Sequence, residues 1–517
     1  MPAPKSCINR GWVDIPIPAK KDANIPSVFD NDSNSSHNED TPKPFTIMTY
    51  NILAQPLVKR SLFPYASKTS LRWKSRKQLF MNEFSYLKPD IACLQEVGTT
   101  NYHQDYNTFF KSQGYENQFF QSRAKSHGLC MLWKKNKLEL LKKVHLKLNP
   151  SVTLFDEKLH TDNVAQIYVL AFKDSLPRPN PDPYADCVSP EHQAYPSSPA
   201  PHNSNDESAD QRGEDEEPMQ RGVIVSNTHL FWLPSASYER LGQQIVITKA
   251  INDIQEQYPD FPVIMCGDFN TTPDDALYSL LTSSQRPVDL NEWQCDQLLP
   301  CQYSDDENED GQEANNDTKE TTTTTANSSN TIEDTDKTKT DGSKGKSDEG
   351  NGKDLTVPPT PPCATTTKTK VQITPEKEQT MRMLEKTEEE LEAILIQDTE
   401  KVNKLVLHIQ DILERPFTSA YSIYTDIDPG YKAEDWDGEP KYTNYTNWKG
   451  TLDYIFIQNH HHNGSYNGSE SKLNGRGRLK VRQIMSLPSQ DEMEPGLPND
   501  TFPSDHVALM ARLVYEA

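Results

Sequence analysis

Phe261-Pro262-Val263-Ile264-Met265-Cys266-Gly267-Asp268-Phe269-Asn270 decides the fold of this chain. Val263 to Cys266 form an unbroken apolar run, the pattern of a strand buried on both faces. The run ends on a carboxylate and an amide two residues apart, which share one face of an extended segment. The same arrangement recurs along the chain. Phe45-Thr46-Ile47-Met48 leads into Thr49-Tyr50-Asn51, Asp90-Ile91-Ala92-Cys93-Leu94 into Gln95-Glu96, and Gly222-Val223-Ile224-Val225 into Asn227-Thr228-His229. Thr451-Leu452-Asp453-Tyr454 and Pro503-Ser504-Asp505-His506 add two more acidic or imidazole groups near the end. Polar groups at the carboxyl ends of buried strands gather on one edge of a sheet, where α/β proteins keep their sites. Hard oxygen ligands (Glu96, Asp268, Asp453) beside imidazoles and amides, with no thiolate cluster, suit Mg2+, with Mn2+ able to replace it. Such a set is the apparatus of metal-assisted phosphoester hydrolysis.

Periodicity places further elements around these ends. Strands are predicted over 45–53, 90–95, 115–120, 127–134, 138–147, 163–172, 222–229 and 262–267, with the four in the middle suggesting an antiparallel-rich sheet. Strands over 451–457, 479–486 and 505–514 are expected to close the second sheet. Helices are predicted over 70–87, which carries Leu71, Leu79, Phe80, Phe84 and Leu87 and stops before Pro89, over 236–256, and over 273–282, opening on Pro273. Residues 377–413 place Met381, Leu384, Leu391, Ile394 and Leu395 at helical spacing. That helix either docks on its own domain or binds a protein partner.

The chain has 517 residues and a net charge of −23, an objection to any nucleic-acid substrate until the charge is located. Residues 175–220 hold ten acidic and two basic residues; residues 301–360 hold fifteen and six. Both stretches are poor in apolar residues and cannot offset the entropy of ordering. They are expected to be disordered inserts (175–220 and 297–375), and 1–42 a disordered tail. With residues 21–43, which hold five acidic and two basic residues, the two acidic stretches leave only about −3 for the rest of the chain, so the acidity belongs to spacers and does not exclude a phosphate polymer. The eight cysteines show no metal or redox spacing. With no membrane span and no signal core, the expected location is cytoplasmic and/or nuclear.

These motifs, in this order, resemble the endonuclease/exonuclease/phosphatase superfamily. Its DNase I-like fold is a four-layer αββα sandwich of two packed mixed β-sheets. Thr49-Tyr50-Asn51-Ile52-Leu53-Ala54, Leu71-Arg72-Trp73, Asn227-Thr228-His229-Leu230-Phe231-Trp232 and Trp448-Lys449-Gly450-Thr451-Leu452-Asp453 are similar to the branch of Ccr-type deadenylases, nocturnin, Angel and the fungal Ngl RNA exonucleases. The likeness covers about 43–174, 221–290 and 405–517, making 43–517 one interrupted catalytic domain. It implies Glu96 as the primary metal ligand with Asn51 beside it, and Asp268 handling the attacking water or a second metal. Asn270 would contact phosphate, and His229 would donate to the transition state. Asp453 is either a metal ligand or the group that orients an imidazole. His506 is a proton carrier or phosphate stabiliser, with Asp505 orienting it or ligating metal. The chain lacks the leucine-rich repeats of the large deadenylase subunits.

Single-strand nucleases hold bases by aromatic stacking and backbone by cations. Phe231, Trp232, Pro234, Tyr445 and Trp448 are therefore candidates to touch a terminal base. Arg72, Arg76 and the run Arg476, Arg478, Lys480, Arg482 are candidates for phosphate, and His127 has no assigned part. The expectation is a monomeric, magnesium-dependent 3′–5′ exoribonuclease acting on single-stranded RNA, either a poly(A) tail or an rRNA precursor 3′ end. The competing reading is a phosphatase of the same fold acting on an inositol phosphate, sphingomyelin or a dinucleotide. A non-catalytic RNA-binding protein would require a missing catalytic group, and none is missing.

Overall fold

Two strand–helix–strand units, one in each half of the chain, set the architecture. The computed structural model describes residues 4–7, 9–15, 44–148, 161–175, 221–285, 287–300, 388–433, 436, 438–459 and 478–515. In the first unit β2 (Phe45–Asn51) passes through helix α1 (Trp73–Leu87) and returns as β3 (Ile91–Gly98), parallel to β2. In the second, β8 (Gly222–His229) passes through α3 (Ser237–Gln255) and returns as β9 (Val263–Asp268), again parallel. A parallel return needs a crossover of this length. Each pair is flanked by an antiparallel strand from late in the chain: β15 (Leu509–Tyr515) beside β2, and β13 (Asp453–Gln458) beside β9. With β1 (Trp12–Asp14), β4 (Tyr115–Phe120), β5 (His127–Lys134) and β14 (Leu479–Met485), the first sheet runs β1-β14-β15-β2-β3-β5-β4. With β6 (Leu138–Lys147), β7 (Val164–Phe172) and β10 (Thr418–Ser419), the second runs β10-β13-β9-β8-β7-β6.

The expected strands 479–486 and 505–514 thus belong to the first sheet; only 451–457 joins the second. The antiparallel strands of the middle of the chain divide too, β4 and β5 to one sheet, β6 and β7 to the other. The sheets pack face to face over Ile47, Cys93, Met131, Tyr168, Val225, Cys266 and Ile455. One outer face is covered by α1 and α2 (Asn107–Ser112) through Phe80, Phe84 and Phe110. The other is covered by α3, α4 (Ala276–Thr282) and the last half of α6 (Glu388–Ile412), through Leu241, Ile245, Leu277, Leu280, Leu405 and Ile409. Helix, sheet, sheet, helix is the four-layer order. Burying an aliphatic side chain of this size contributes about 1.5–3 kcal/mol, so the three apolar layers dominate stability. A buried amide chain crosses between the sheets: Gln95 donates to Asn227 Oδ1 (2.9 Å), and Asn227 donates to Gln166 Oε1 (3.1 Å) and to the Leu94 carbonyl (3.2 Å). Cys93, Cys130 and Cys266 are free and buried, as core residues should be.

Two compact units hold the chain, Met1–Gln312 with Ala393–Ala517, and Glu313–Glu392. The second is described only through the helical backbone 388–392. The insert readings 175–220 and 297–375 fall almost wholly outside the described residues. At the start of the latter, α5 (Glu292–Gln297) is helical and Leu298 is buried, so the folded part reaches further than expected. Helix α6 begins at Glu388, and 377–387 lie outside the described residues. Its C-terminal half docks on its own unit through Val402, Leu405, Ile409 and Leu413. No described helix is long and apolar enough to cross a membrane.

Residues 4–7 and 9–15 correct the reading of a tail over 1–42. Trp12 pairs with Met485, and buried Arg10 donates to the Ser486 (2.8 Å) and Ala508 (2.6 Å) carbonyls and stands 3.5 Å from Glu83 of α1. A three-residue edge strand is too short to display a period, which is why the sequence hid it. Burial pushes the Glu83 carboxyl up to about 7, against the pull of Arg10 and the Tyr50 hydroxyl. The folded state holds this proton more tightly than the unfolded chain, whose ordinary value is 4.5. The contribution is therefore complete below about pH 4.5 and lost as pH rises through about 7. Urea unfolding should show wild-type stability falling by about 3 kcal/mol across that window relative to Glu83→Gln. Parallel curves for the two proteins would contradict it.

Candidate active site

Register brings the site together. On the second sheet, His229 of β8 lies beside Asp268 of β9, which lies beside Asp453 at the start of β13. Gly267 is required here because a Cβ at that position would lie 2.2 Å from the Thr228 carbonyl oxygen of β8. On the first sheet β2 ends in Asn51, paired with Gln95 of β3. The next residue, Glu96, sits in a register break between Leu94 and Val97 with φ of 52°. A bulge with a left-handed non-glycine residue re-aims its side chain at some cost in strain. Leu53 and Asn270, at φ of 54° and 48°, are two more such residues at this edge. Asp505 and His506 arrive on the segment before β15. A hairpin of β11 (Asn444–Tyr445) and β12 (Lys449–Gly450) is pinned to that segment by Tyr445 N–H to Asp505 O (3.0 Å) and Val507 N–H to Thr443 O (2.8 Å).

Asp268 is the hub. Its Oδ2 accepts from Asn51 Nδ2 at 2.9 Å and lies 3.5 Å from His229 Nε2 and 3.6 Å from His506 Nε2. Its Oδ1 accepts the Asn270 N–H at 3.0 Å. The Asn51 amide also donates to Glu96 Oε1 (2.9 Å), and Glu96 Oε2 accepts from Ala54 N–H (3.1 Å). His506 Nδ1 meets Asp453 Oδ2 at 2.7 Å, the contact that the imidazole-orienting alternative for Asp453 requires. Asp453 Oδ1 is buried with no hydrogen-bond partner among the described residues.

The charges follow from burial. Burial raises the Glu96 carboxyl, and Asp505 adds to the rise while His229 and Asn51 oppose it. Burial likewise raises Asp453 and Asp505. Burial pushes His229 down to about 4, so it is neutral. Burial pulls His506 down as well, but Asp453, Asp268 and Asp505 outweigh it and hold the imidazolium well above the ordinary range. Several carboxylates crowded in one low-dielectric place, one with an orphaned oxygen, fit a hard dication. Ligand atoms of Asp268, Asp453 and His506 all lie within 4.8 Å of one another, and Glu96 and Asn51 adjoin Asp268.

This constellation floors a cavity of about 880 Å³. Glu96, His229, Asp268, Asn270, Asp505, His506, Phe231, Trp232, Pro234 and Trp448 all line it. Asn51 and Asp453 stand behind these residues. Arg72 is exposed at the cap of α1 and does not line the cavity. The Arg76 guanidinium is spent on the carbonyls of Ile52, Leu53 and Pro503, where it fixes the exit of β2. Tyr445 is buried in the inter-sheet core under Lys449. Lys480 and Arg482 lie on β14 away from the cavity, and Arg476 lies outside the described residues. Sequence reading missed Trp293 and Trp436, which also line the cavity. With Trp232 (47% exposed), Trp293 (47%) and Trp448 (50%), the wall carries most of the large exposed aromatic surface of the described residues. A tryptophan in Ala433-Glu434-Asp435-Trp436-Asp437-Gly438, a polar stretch with no core pattern, was the available signal.

The sequence profile of the endonuclease/exonuclease/phosphatase family matches residues 48–332, more than half of the chain. The chain belongs to this family. Its fold and hydrolase class follow from that membership. A probable RNA exonuclease of Schizosaccharomyces pombe is 27% identical over 499 residues, covering 90% of this chain and 75% of its own length. The RNA exonuclease NGL2 of Saccharomyces cerevisiae is 25% identical over 498 residues, with 91% and 78% covered. Among solved structures, ANGEL2, a 2′,3′-cyclic phosphatase, is 18% identical with a TM-score of 0.49, covering 92% of this chain and 97% of its own.

Proposed function

We propose that the chain is a divalent-metal-dependent 3′–5′ exoribonuclease that releases 5′-mononucleotides from single-stranded RNA. The observation that carries the reading is a phosphate-handling floor under an aromatic wall. Asp268 joins Asn51, His229 and His506 at the bottom of a cavity whose sides present Trp232, Trp293, Trp436 and Trp448. Stacking surfaces of this kind accept any base, and each stacked base contributes about 1–3 kcal/mol. The names of the fungal relatives support RNA as the substrate.

Glu96, with Asn51 beside it and Asp268 and Asp453 adjoining, would hold the ion, Mg2+ or Mn2+, which neutralises charge on the phosphate when bound. The remaining steps belong to the side chains. Asp268, shared by both imidazoles, orients a water and takes its proton. His506, held as an imidazolium by Asp453, donates toward a non-bridging phosphate oxygen as negative charge builds there. Neutral His229 offers its N–H to the same phosphate. Asn270, fixed in a left-handed turn by its own N–H to Asp268, presents its amide to the phosphate.

The test offers purified protein labelled oligo(A), mixed-sequence RNA, DNA, and inositol or nicotinamide-dinucleotide phosphates, with magnesium and with chelator. Glu96→Ala is the control. RNA should shorten from its 3′ end one nucleotide at a time, only with metal, and at least about 10³-fold more slowly in Glu96→Ala. Turnover confined to a phosphorylated small molecule would replace the reading with a phosphatase.

A further inference from the structure

One side of the cavity is polar and takes no part in the chemistry above. The 122–127 segment between β4 and β5 and the 161–163 segment before β7 meet there, tied by Ser122 Oγ–H to Asp162 Oδ1 at 2.9 Å. Lys125, His127 and Asn163 all line the cavity at this junction. Asn163 is buried, and its Nδ2 donates to the His229 carbonyl at 2.8 Å. A carbonyl only accepts, so this bond fixes the amide the other way round for Oδ1. That Oδ1 is a buried acceptor with no partner among the described residues, and His127 Nδ1, on the lining of the same cavity, is likewise buried and unpaired. Buried polar atoms are rarely left unpaired, and each such exception calls for a ligand or another explanation. Lys125 lines the same cavity as Glu96, and the carboxylates of Asp162 and Glu96 both favour its charged form.

The three groups have a defined complementarity. Asn163 Oδ1 needs a donor. Lys125 supplies donors, and His127 Nδ1 supplies one in the tautomer that protonates it. A hydroxyl donates once and accepts from the other side, so it satisfies both kinds at once. An exocyclic base amine donates only, and a phosphate oxygen accepts only. We propose that Asn163, with His127 and Lys125, binds the 2′-hydroxyl of a ribose next to the scissile phosphate, and that this contact is how the enzyme tells RNA from DNA. The proposal rests on the exoribonuclease reading and names what selects its substrate. The same Asn163 amide holds the backbone carbonyl of catalytic His229 through Nδ2, so loss of the hydroxyl leaves a buried acceptor unpaired on a residue tied to the reacting group. Sites built to hydrogen-bond a substrate hydroxyl reject analogues lacking it strongly.

The substrate side tests this without any variant. Wild-type protein is given oligo(A) whose last two nucleotides are ribo, 2′-deoxy or 2′-fluoro. Fluorine is small and only accepts, so it imitates the size of the hydroxyl without its donor. The 2′-deoxy and 2′-fluoro substrates should both fall at least about 100-fold in kcat/KM. The same order of affinities should appear in anisotropy titrations of labelled oligonucleotides in chelator. Asn163→Leu should remove the preference by slowing the ribo substrate alone. Processing of the 2′-fluoro substrate at the ribo rate, or unchanged discrimination in a folded Asn163→Leu, would overturn the proposal. Should no RNA be hydrolysed at all, the exoribonuclease reading fails, and the titrations still decide whether this subsite prefers a ribose.

Discussion

Asp268→Asn is expected to lower kcat on RNA by about 10³-fold while the protein stays folded. The size follows from how both oxygens are engaged. Oδ2 accepts from Asn51 and faces His229 and His506, and Oδ1 accepts the Asn270 N–H. An asparagine must turn its NH2 toward one of these sets. Turned toward the first, it sets donor against donor at Asn51 and faces an imidazolium. Turned toward the second, it opposes the backbone N–H that fixes the left-handed Asn270. Neither rotamer restores the wild-type pattern, so a nearly isosteric change removes the proton acceptor and loosens two neighbours together. The stability cost should stay within about 1–3 kcal/mol, that of one unmatched buried pair. Because the aromatic wall is untouched, KM for oligo(A) should move by less than about threefold, placing the loss in the transition state. A folded variant with kcat within tenfold of wild type would remove Asp268 from the centre of the mechanism.

The strand ends were legible for a physical reason. Asn51, Glu96, His229, Asp268, Asp453 and His506 each follow or open an apolar run, and an apolar run buried on both faces tells where the backbone must go. The boundaries of β4, β5, β6 and β8 coincide with those read from periodicity. Sheet membership was a different matter. Alternation reports burial, whereas the partner of a strand is set by contacts hundreds of residues away. Residues 479–486 and 505–514 follow strand 451–457 in the chain yet pair in the first sheet, not the second. The same limit explains the residues outside the cavity. Arg72 precedes a helix whose register turns it to solvent, and Tyr445 packs beneath the hairpin that carries Trp448. Lys125 adjoins no apolar run, and Asn163 opens the strand predicted over 163–172 as a neutral amide with no motif around it.

The largest effect away from Asp268 is expected at the His506–Asp453 pair. Asp453 Oδ2 accepts from His506 Nδ1 at 2.7 Å, which fixes the tautomer and directs Nε2 toward Asp268 and the cavity. Its anion is also the leading charge that offsets burial and keeps the imidazole protonated. Asp453→Asn removes both influences. Burial then pulls the imidazole pKa down, opposed only by Asp268 and Asp505 at longer range. A catalyst that needs the imidazolium loses activity as pH rises through that pKa, so the alkaline limb of the kcat profile should move to lower pH by at least about one unit. At neutral pH kcat should fall by about 10²–10⁴-fold, the scale seen when a buried carboxylate that orients a catalytic histidine is replaced by its amide. The two residues act as one device, so adding His506→Ala to Asp453→Asn should cost little more than His506→Ala alone. A purely structural Asp453 would give the opposite record: an unmoved pH profile, and losses that multiply in the double variant.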